Sequence, residues 1–343
     1  MTATAHASAA RVSQTGWFAH RFDPERDLFH LIPATADQLR AATFLTDDQL
    51  GGASSPRAVA RAAALAAAGP RTPVHFLFHS AFCCSTLLAR ALDRPGVALA
   101  LREPVLFNDL IGWRGRGGAS AQVAKALDDA MRLLEQPAAP DEAVLIKPSN
   151  LANPLALAAL ALRPQARAVL LHAPLPTFLA SIASKGLEGR LWVRELWFKF
   201  LGLGVDPFGF SSEELFRHSD LQVAALGWLA QQRDFAALSH RFGDRVRTLS
   251  SEDLMADPAR ALVAAAAHYG LAFDPSDLAQ VAAGPAFARH AKTGEAFDVR
   301  ARDALHRGAA EANADEIAKV ARWAAAVADA TGAPLALPRP LLA

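Results

Sequence analysis

A run of small and hydroxyl-bearing residues follows a short apolar segment in the first third of the chain. The apolar segment is VHFLF (74–78), the run is HSAFCCST (79–86), and a leucine-rich helical pattern begins at Leu87. A loop of small residues that opens a helix points successive backbone N–H groups at one place, and this geometry binds phosphate. Ser85 and Thr86 can add hydroxyl donors. The alternative is that these two hydroxyls only cap a helix of the core.

The composition of this loop narrows the class of phosphate site. The loop has no Gly-Lys pair, so it does not meet the nucleotide-hydrolase pattern GxxxxGK[ST]. It also holds the chain's only two cysteines, Cys83 and Cys84, which are neighbours and therefore cannot staple distant parts of a fold. His79, at the end of the apolar segment, is either a charged group of the site or a hydrogen-bonded core residue.

Four further apolar runs resemble the first one. They are VALAL (97–101), AVLIK (143–147), ARAVLL (166–171) and RVRTL (245–249). Continuous apolar strands separated by helices predict a mainly parallel sheet with both faces covered, and ligands bind beyond the carboxyl ends of such strands. Glu103, Lys147 and His172 stand at those ends. The sequence therefore predicts a site built from several strand ends.

These residues resemble those of the P-loop sulfotransferase superfamily. CCSTLL (83–88) resembles that family's 5′-phosphosulfate loop, roughly [KR]SG[ST]T before a leucine-rich helix. The pattern is most similar to that of tyrosylprotein-type sulfotransferases, in which the next strand ends in a catalytic glutamate. Glu103 stands at that place, and its alternatives are a solvated strand end or a salt bridge to Arg102. The resemblance implies that the donor's 5′ end is held by Cys83, Cys84, Ser85, Thr86 and Leu87.

The resemblance also implies two lysine or histidine contacts to phosphate. Lys147, before Pro148, resembles a lysine that neutralises the bridging oxygen of the departing phosphate. In the family an arginine and a serine grip the donor's 3′-phosphate. Here His172 takes the place of the arginine, and Ser181 lies next to the place of the serine. Lys185, in the same region, could supply further charge.

A basic stretch near the end of the chain resembles the family's loop that closes over the 3′-phosphate. It is RHAKTG (289–294), and its cations are Arg289 and Lys292. Two positions depart from the pattern, because Phe82 replaces the loop's cation and Cys84 replaces its glycine. His79 is a possible substitute for the missing cation, or an alternative base.

The function that the resemblance implies is transfer of a sulfuryl group from 3′-phosphoadenosine 5′-phosphosulfate, without a metal, to a hydroxyl or amine. The acceptor would be a small molecule or a peptide. One alternative is another P-loop transferase, such as a small-molecule kinase, which would need a metal-holding aspartate at a strand end. The other is a non-catalytic relative that binds a nucleotide, which the replacements at Phe82 and Cys84 favour.

The composition excludes several other classes of protein. The chain has 343 residues, of which 52% are hydrophobic and 20% are charged, which suits a folded protein with a sizeable core. A net charge of +1 gives no reason to expect a nucleic-acid partner. We find no apolar run long enough to span a membrane and no secretory signal, so we predict a cytoplasmic protein. The abundance of Ala, Arg and Leu is typical of bacterial proteins from GC-rich genomes.

The chain is predicted to divide near residue 70. Residues 1–70 read as an N-terminal extension packed on the core, with a strand near 28–32 and helices over 36–45 and 56–68. Residues 71–343 read as a three-layer α/β P-loop domain, with a mainly parallel sheet flanked by helices. Asp257-Pro258 is predicted to open a helix that runs to Tyr269.

Overall fold

A small antiparallel sheet comes first along the chain. The computed structural model describes residues 16–50, 56–136, 139, 141–284, 287, 308 and 312–342. The small sheet has three strands in sequence order, namely β1 (Trp17–Asp23), β2 (Leu28–Pro33) and β3 (Arg57–Ala60). The prediction of a single strand in this region is wrong. The strand β3 has no apolar alternation of its own, so its conformation depends on pairing with β2.

Three short helices accompany the small sheet. They are α1 (Ala36–Ala41), α2 (Asp47–Leu50) and α3 (Arg61–Ala66). Thr35 and Gln38 form a capping box at the start of α1, which explains why the helix begins where it was predicted. The helix ends before the predicted residue 45, because the backbone of Ala42 is extended. The predicted helix over 56–68 is also shorter, because its first residues form β3.

The five apolar runs form one parallel sheet, as predicted. Its strands are β4 (Val74–His79), β5 (Ala98–Arg102), β6 (Ala143–Lys147), β7 (Ala168–His172) and β8 (Val246–Ser250). Their spatial order is β5-β6-β4-β7-β8, and each neighbouring pair is parallel. The chain after β4 goes first to one side of that strand and later to the other. Strand order thus reverses at β4, and such a reversal opens a crevice at the carboxyl end of the sheet.

Helices connect these strands and complete the chain. They are α4 (Ser85–Ala91), α5 (Val105–Gly115), α6 (Ser120–Leu134), α7 (Ala156–Leu162), α8 (Leu175–Ser184), α9 (Gly186–Gly202), α10 (Ser212–Arg217), α11 (Asp220–Phe242), α12 (Ser251–Ala256), α13 (Pro258–Tyr269), α14 (Pro275–Ala283) and α15 (Ala314–Thr331). Asp257 caps α13 through the N–H of Arg260, as predicted. None of the helices within the described ranges is long and apolar enough to cross a membrane.

Both faces of the large sheet are buried. Phe76 and Phe78 of β4 point into a cluster that also contains residues of α5, α6 and α7. Leu77, between them, points into a second cluster with residues of α4, α8, α11 and α13. Alternate side chains of β4 therefore pack into two apolar layers, one on each face of the sheet, so both faces are buried. The fold is a three-layer α/β fold with a parallel central sheet, as predicted.

The small sheet packs on one face of this arrangement. Phe22 of β1 contacts Trp113 of α5, with ring centroids 6.0 Å apart. Arg21 donates to both carboxylate oxygens of Asp109, which is on the same helix. The described part of the first 70 residues therefore shares its core with α5 and α6. The domain boundary at residue 70 stays a prediction.

Candidate functional site

The loop between β4 and α4 has an unusual backbone. The strand continues through His79 and the helix begins at Ser85, so the loop is shorter than the predicted 79–86. Three non-glycine residues of the loop have a left-handed backbone conformation, with φ of 67° at Ala81, 50° at Phe82 and 64° at Cys84. Each such residue costs roughly 1–2 kcal/mol relative to an ordinary conformation. Backbone of this kind persists where surrounding contacts hold it, and it is common at ligand sites.

The end of β7 supplies those contacts. The N–H of Ser80 donates to the carbonyl of Leu171, and the N–H of Ala173 donates to the Ser80 hydroxyl. The thiol of Cys83 donates to the same Leu171 carbonyl at 3.3 Å. Burial raises the pKa of that thiol to about 11, so it stays protonated at neutral pH. Cys83 thus ties the loop to β7 through its side chain.

The other residues predicted to hold the donor's 5′ end lie in the first turn of α4. Ser85 and Thr86 are both buried beneath the loop. Leu87 is a member of the apolar cluster on that face of the sheet, so only its backbone could face a ligand. Cys84 is half-buried and stands at the N-terminal cap of the helix.

Glu103 and Lys147 form an ion pair at the ends of two neighbouring strands. The Lys147 ammonium lies 2.5 Å from one Glu103 carboxylate oxygen. The lysine side chain is fully buried, whereas that of the glutamate is 24% exposed. The register pairs Arg102 of β5 with Lys147 of β6, so Glu103 follows directly after the paired end. The pair places a partly exposed carboxylate at the carboxyl end of the sheet.

Arg102 does not pair with Glu103, in contrast to the alternative considered from the sequence. Its side chain is fully buried and contacts Asp93 at 2.6 Å. It also donates to the carbonyl oxygens of Leu39 and Ala42. Arg102 is the last residue of β5, whereas Glu103 follows the strand with a left-handed backbone, so these neighbours in sequence have different partners. Lys147 is the cation that holds Glu103.

His79 is held in one tautomer by its neighbours. The N–H of Ala81 donates to Nδ1 at 3.1 Å, so the ring proton is on Nε2. Nε2 lies 3.1 Å from the carbonyl oxygen of Pro148 and 3.8 Å from the Glu103 carboxylate. The imidazole lone pair is therefore engaged by the loop backbone. His79 is arranged to donate a hydrogen bond beside Glu103, and this geometry favours Glu103 over His79 as a proton acceptor.

A cavity of about 460 Å³ opens beyond the ends of β7 and β8. It is lined by His172, Trp228, Ser250, Asp253 and residues of α15 and the chain's last segment. Burial lowers the pKa of His172 to about 4, and the nearby Asp253 carboxylate opposes this shift only in part. No well-formed hydrogen bond reaches its buried Nδ1 from the described residues. His172 is thus neutral at pH 7, and its imidazole forms part of the cavity lining.

The remaining predicted residues are spread around the site. Ser181 is buried in α8, and its hydroxyl donates to the carbonyl of Thr177 in the same helix. Lys185 lies between α8 and α9, close to the loop and over the ring of Phe82. Arg289 and Lys292 lie outside the described residues.

A segment of the N-terminal extension reaches the site, which was not predicted from the sequence. Phe44 lies with its ring centroid 5.6 Å from the Lys147 ammonium. Next to it, the N–H of Leu45 donates to the carbonyl of Arg102 at 2.7 Å, which fixes this segment to the end of β5. A lone aromatic residue in a connecting segment has no spacing that could reveal such a role.

Comparison with known proteins gives similar solved structures but no family. No family model matches the chain, and no curated protein matches it. The chain is similar to the sulfotransferase domain from the curacin biosynthetic pathway, with 13% identity, a TM-score of 0.37, and coverage of 66% of this chain and 85% of that one. It is also similar to the sulfotransferase domain from the Synechococcus PCC 7002 olefin synthase, with 15% identity, a TM-score of 0.38, and coverage of 68% and 84%. These values decide neither family nor activity, so both are argued from the site itself.

Proposed function

We propose that this protein transfers a sulfuryl group from 3′-phosphoadenosine 5′-phosphosulfate to a hydroxyl or amine of a small-molecule or peptide acceptor. The observation that carries the proposal is the Glu103–Lys147 pair beside the loop 80–84. A partly exposed carboxylate, a buried ammonium and a strained phosphate-type loop meet where strand order reverses. This combination suits proton removal next to a departing phosphate.

Glu103 would act as the general base. Its carboxylate takes the proton of the acceptor hydroxyl or amine while the acceptor's oxygen or nitrogen forms a bond to sulfur. The bond between sulfur and the bridging phosphate oxygen breaks, and 3′-phosphoadenosine 5′-phosphate leaves with that electron pair. The Lys147 ammonium at 2.5 Å supports this role, because it holds the carboxylate in one position beside the loop. His79 would stay beside Glu103 without a direct hydrogen bond, because its Nε2–H donates to the carbonyl of Pro148 and lies 3.8 Å from the carboxylate.

Lys147 has a second role in this proposal. Once Glu103 has taken the proton, the ammonium is no longer neutralised by it, and its charge becomes available to the departing phosphate. Charge stabilisation that grows as the bond breaks lowers the barrier more than uniform binding does. The burial of Lys147 supports a strong effect, because water screens it little.

The cavity beside β7 and β8 is the candidate place for the nucleoside 3′ end. The position of His172 in the cavity lining supports this assignment, since a protonated imidazole could donate to a phosphate. Ser181 is a weaker candidate, because its hydroxyl already serves its own helix. The donor's 5′ end would meet the loop backbone at Cys84, Ser85 and Thr86.

The test compares Glu103→Gln with Lys147→Ala. Glutamine keeps the shape and one oxygen acceptor for Lys147 but cannot take a proton, so turnover should fall about a hundredfold with nucleotide affinity nearly unchanged. Lys147→Ala should weaken both, because it also leaves the Glu103 carboxylate uncompensated beside a bound anion. Release of 3′-phosphoadenosine 5′-phosphate with an acceptor mixture measures turnover, and calorimetry measures affinity.

The chain provides a matched control for both variants. Glu195 and Lys199 form an exposed pair of the same chemistry on α9, at 2.6 Å. Glu195→Gln and Lys199→Ala should leave turnover and affinity unchanged. Full activity of Glu103→Gln on a confirmed acceptor would show that Glu103 is not the general base. A wild-type protein that binds the nucleotide but never turns over would be a non-catalytic relative, and Mg²⁺-dependent ATP binding would favour a kinase.

A further inference from the structure

One lysine stands apart from the others in its charge environment. Four of the five lysines in the described ranges have a carboxylate partner, namely Lys125, Lys147, Lys199 and Lys319. Lys185 has none among those residues. Its ammonium lies instead 5.7 Å from the ring centroid of Phe82, in the loop after β4. An uncompensated cation therefore lies directly against the candidate phosphate loop.

The packing around Lys185 fixes this position. Lys185 is the junction between α8 and α9, where Gly186 has a φ of 56°. Gly189 approaches so closely that a Cβ there would lie 2.8 Å from the Lys185 Cβ and 2.5 Å from the Ile182 carbonyl oxygen. Only glycine fits this contact without movement. The stem of Lys185 is thus held by the turn between the two helices.

Phe82 is equally constrained. Its ring meets Trp192 of α9 edge-on at 5.2 Å and contacts Phe178 of α8 at 6.1 Å. The two helices that present the lysine therefore also hold the aromatic ring beneath it. A cation over an aromatic face is attracted by about 0.5–2 kcal/mol, which positions the ammonium without neutralising its charge.

The charge balance of the site shows what this lysine could do. Lys147 and Glu103 cancel each other at 2.5 Å before any proton moves. A phosphosulfate is an anion, and binding it at a site with no net positive charge is unfavourable. We propose that Lys185 binds the 5′-phosphosulfate of the donor from above the loop, with Phe82 as its platform. This inference rests on the proposed function. It assigns Lys185 to the 5′ end of the nucleotide, whereas the resemblance had suggested the 3′-phosphate.

Two nucleotides distinguish the two ends. AMP carries only the 5′-phosphate, whereas 3′-phosphoadenosine 5′-phosphate carries both. In calorimetry on the full chain, Lys185→Gln should lower the affinity for both nucleotides by about tenfold, because the same contact to the 5′-phosphate is lost. Lys185→Arg should recover most of the affinity. Lys199→Gln, on the same helix but paired and exposed, should change either affinity by less than about twofold.

Several results would overturn the inference. A loss confined to 3′-phosphoadenosine 5′-phosphate places Lys185 at the 3′ end, and unchanged affinity for both ligands leaves it a packing contact. As a control for folding, Lys185→Gln and Lys185→Arg should have equal urea denaturation midpoints. Any loss of affinity in Lys185→Gln then comes from the lost contact with the ligand. If the wild type binds neither nucleotide, the proposed function fails and the inference falls with it. If the wild type binds and turns over while Lys185→Gln is unaffected, only the inference fails.

Discussion

The Lys147 ammonium illustrates how one residue constrains another at this site. A fully buried charge is strongly unfavourable unless a partner compensates it, and here the compensation comes from a single carboxylate oxygen at 2.5 Å. Glu103 accepts a left-handed backbone, with φ of 52°, to reach that position. The strain and the pairing together fix the carboxylate next to the loop. A glutamate held in this way needs little rearrangement to accept a proton.

His172 gives a prediction about pH at the same scale. Its pKa of about 4 in the free protein must rise when a dianionic phosphate binds beside it, because the phosphate favours the imidazolium. A group whose pKa rises on binding takes up a proton, so affinity increases as the pH falls towards that of the bound form. Affinity for 3′-phosphoadenosine 5′-phosphate should therefore increase from about pH 8 to about pH 5.

The control is His172→Gln, which cannot be protonated. The nucleotide's own phosphates also titrate in this range, so the informative quantity is the difference between the two proteins measured by calorimetry. The wild type should gain affinity relative to His172→Gln as the pH is lowered. Identical pH profiles would show that His172 does not contact the 3′-phosphate.

The strand–loop–helix is the element on which the site depends, and Cys84 is its most constrained position. With φ of 64° at the helix cap, this residue adopts a conformation that glycine reaches freely and β-branched residues strongly disfavour. Cys84→Gly should change the free energy of unfolding by less than about 1 kcal/mol, since relief of strain offsets the lost side chain. Cys84→Val should destabilise by about 2 kcal/mol. Urea denaturation of both variants measures the difference, and equal destabilisation would contradict this explanation.

The large sheet could be predicted from the sequence, and the small one could not. The runs at β4 to β7 are mostly apolar, because both faces of these strands are buried, and such runs are too short for buried helices. Arg57 to Ala60, in contrast, has an exposed pattern and is a strand only because β2 pairs with it. The candidate residues at the strand ends could be found in the same way. Their partners could not, because the sequence does not reveal the left-handed backbone at Glu103, which gives its side chain a different partner from that of Arg102.

At the scale of the whole molecule, a buried charge network joins the N-terminal extension to the sheet. Arg40 of α1 contacts the carboxylates of both Asp93 and Glu142. Arg102 of β5 contacts Asp93 and donates to the carbonyls that end α1. The same segment then brings Phe44 over Lys147. The network therefore connects the packing of the extension to the candidate site.

Removing Arg102 should loosen this connection. Arg102→Met keeps the length of the side chain, but it leaves Asp93 with one cation fewer and deprives the carbonyls of Leu39 and Ala42 of a donor. Loss of one member of a buried charged network costs about 3–5 kcal/mol, so the free energy of unfolding should fall by roughly this amount. The control is Arg217→Met, which breaks an exposed pair with Glu213 and should cost less than about 1 kcal/mol. Amide hydrogen exchange should also speed up at Leu45, whose N–H donates to the Arg102 carbonyl, before the sheet itself opens. Equal stabilities of the two variants, with unchanged exchange at Leu45, would mean that apolar packing alone holds the extension to the sheet.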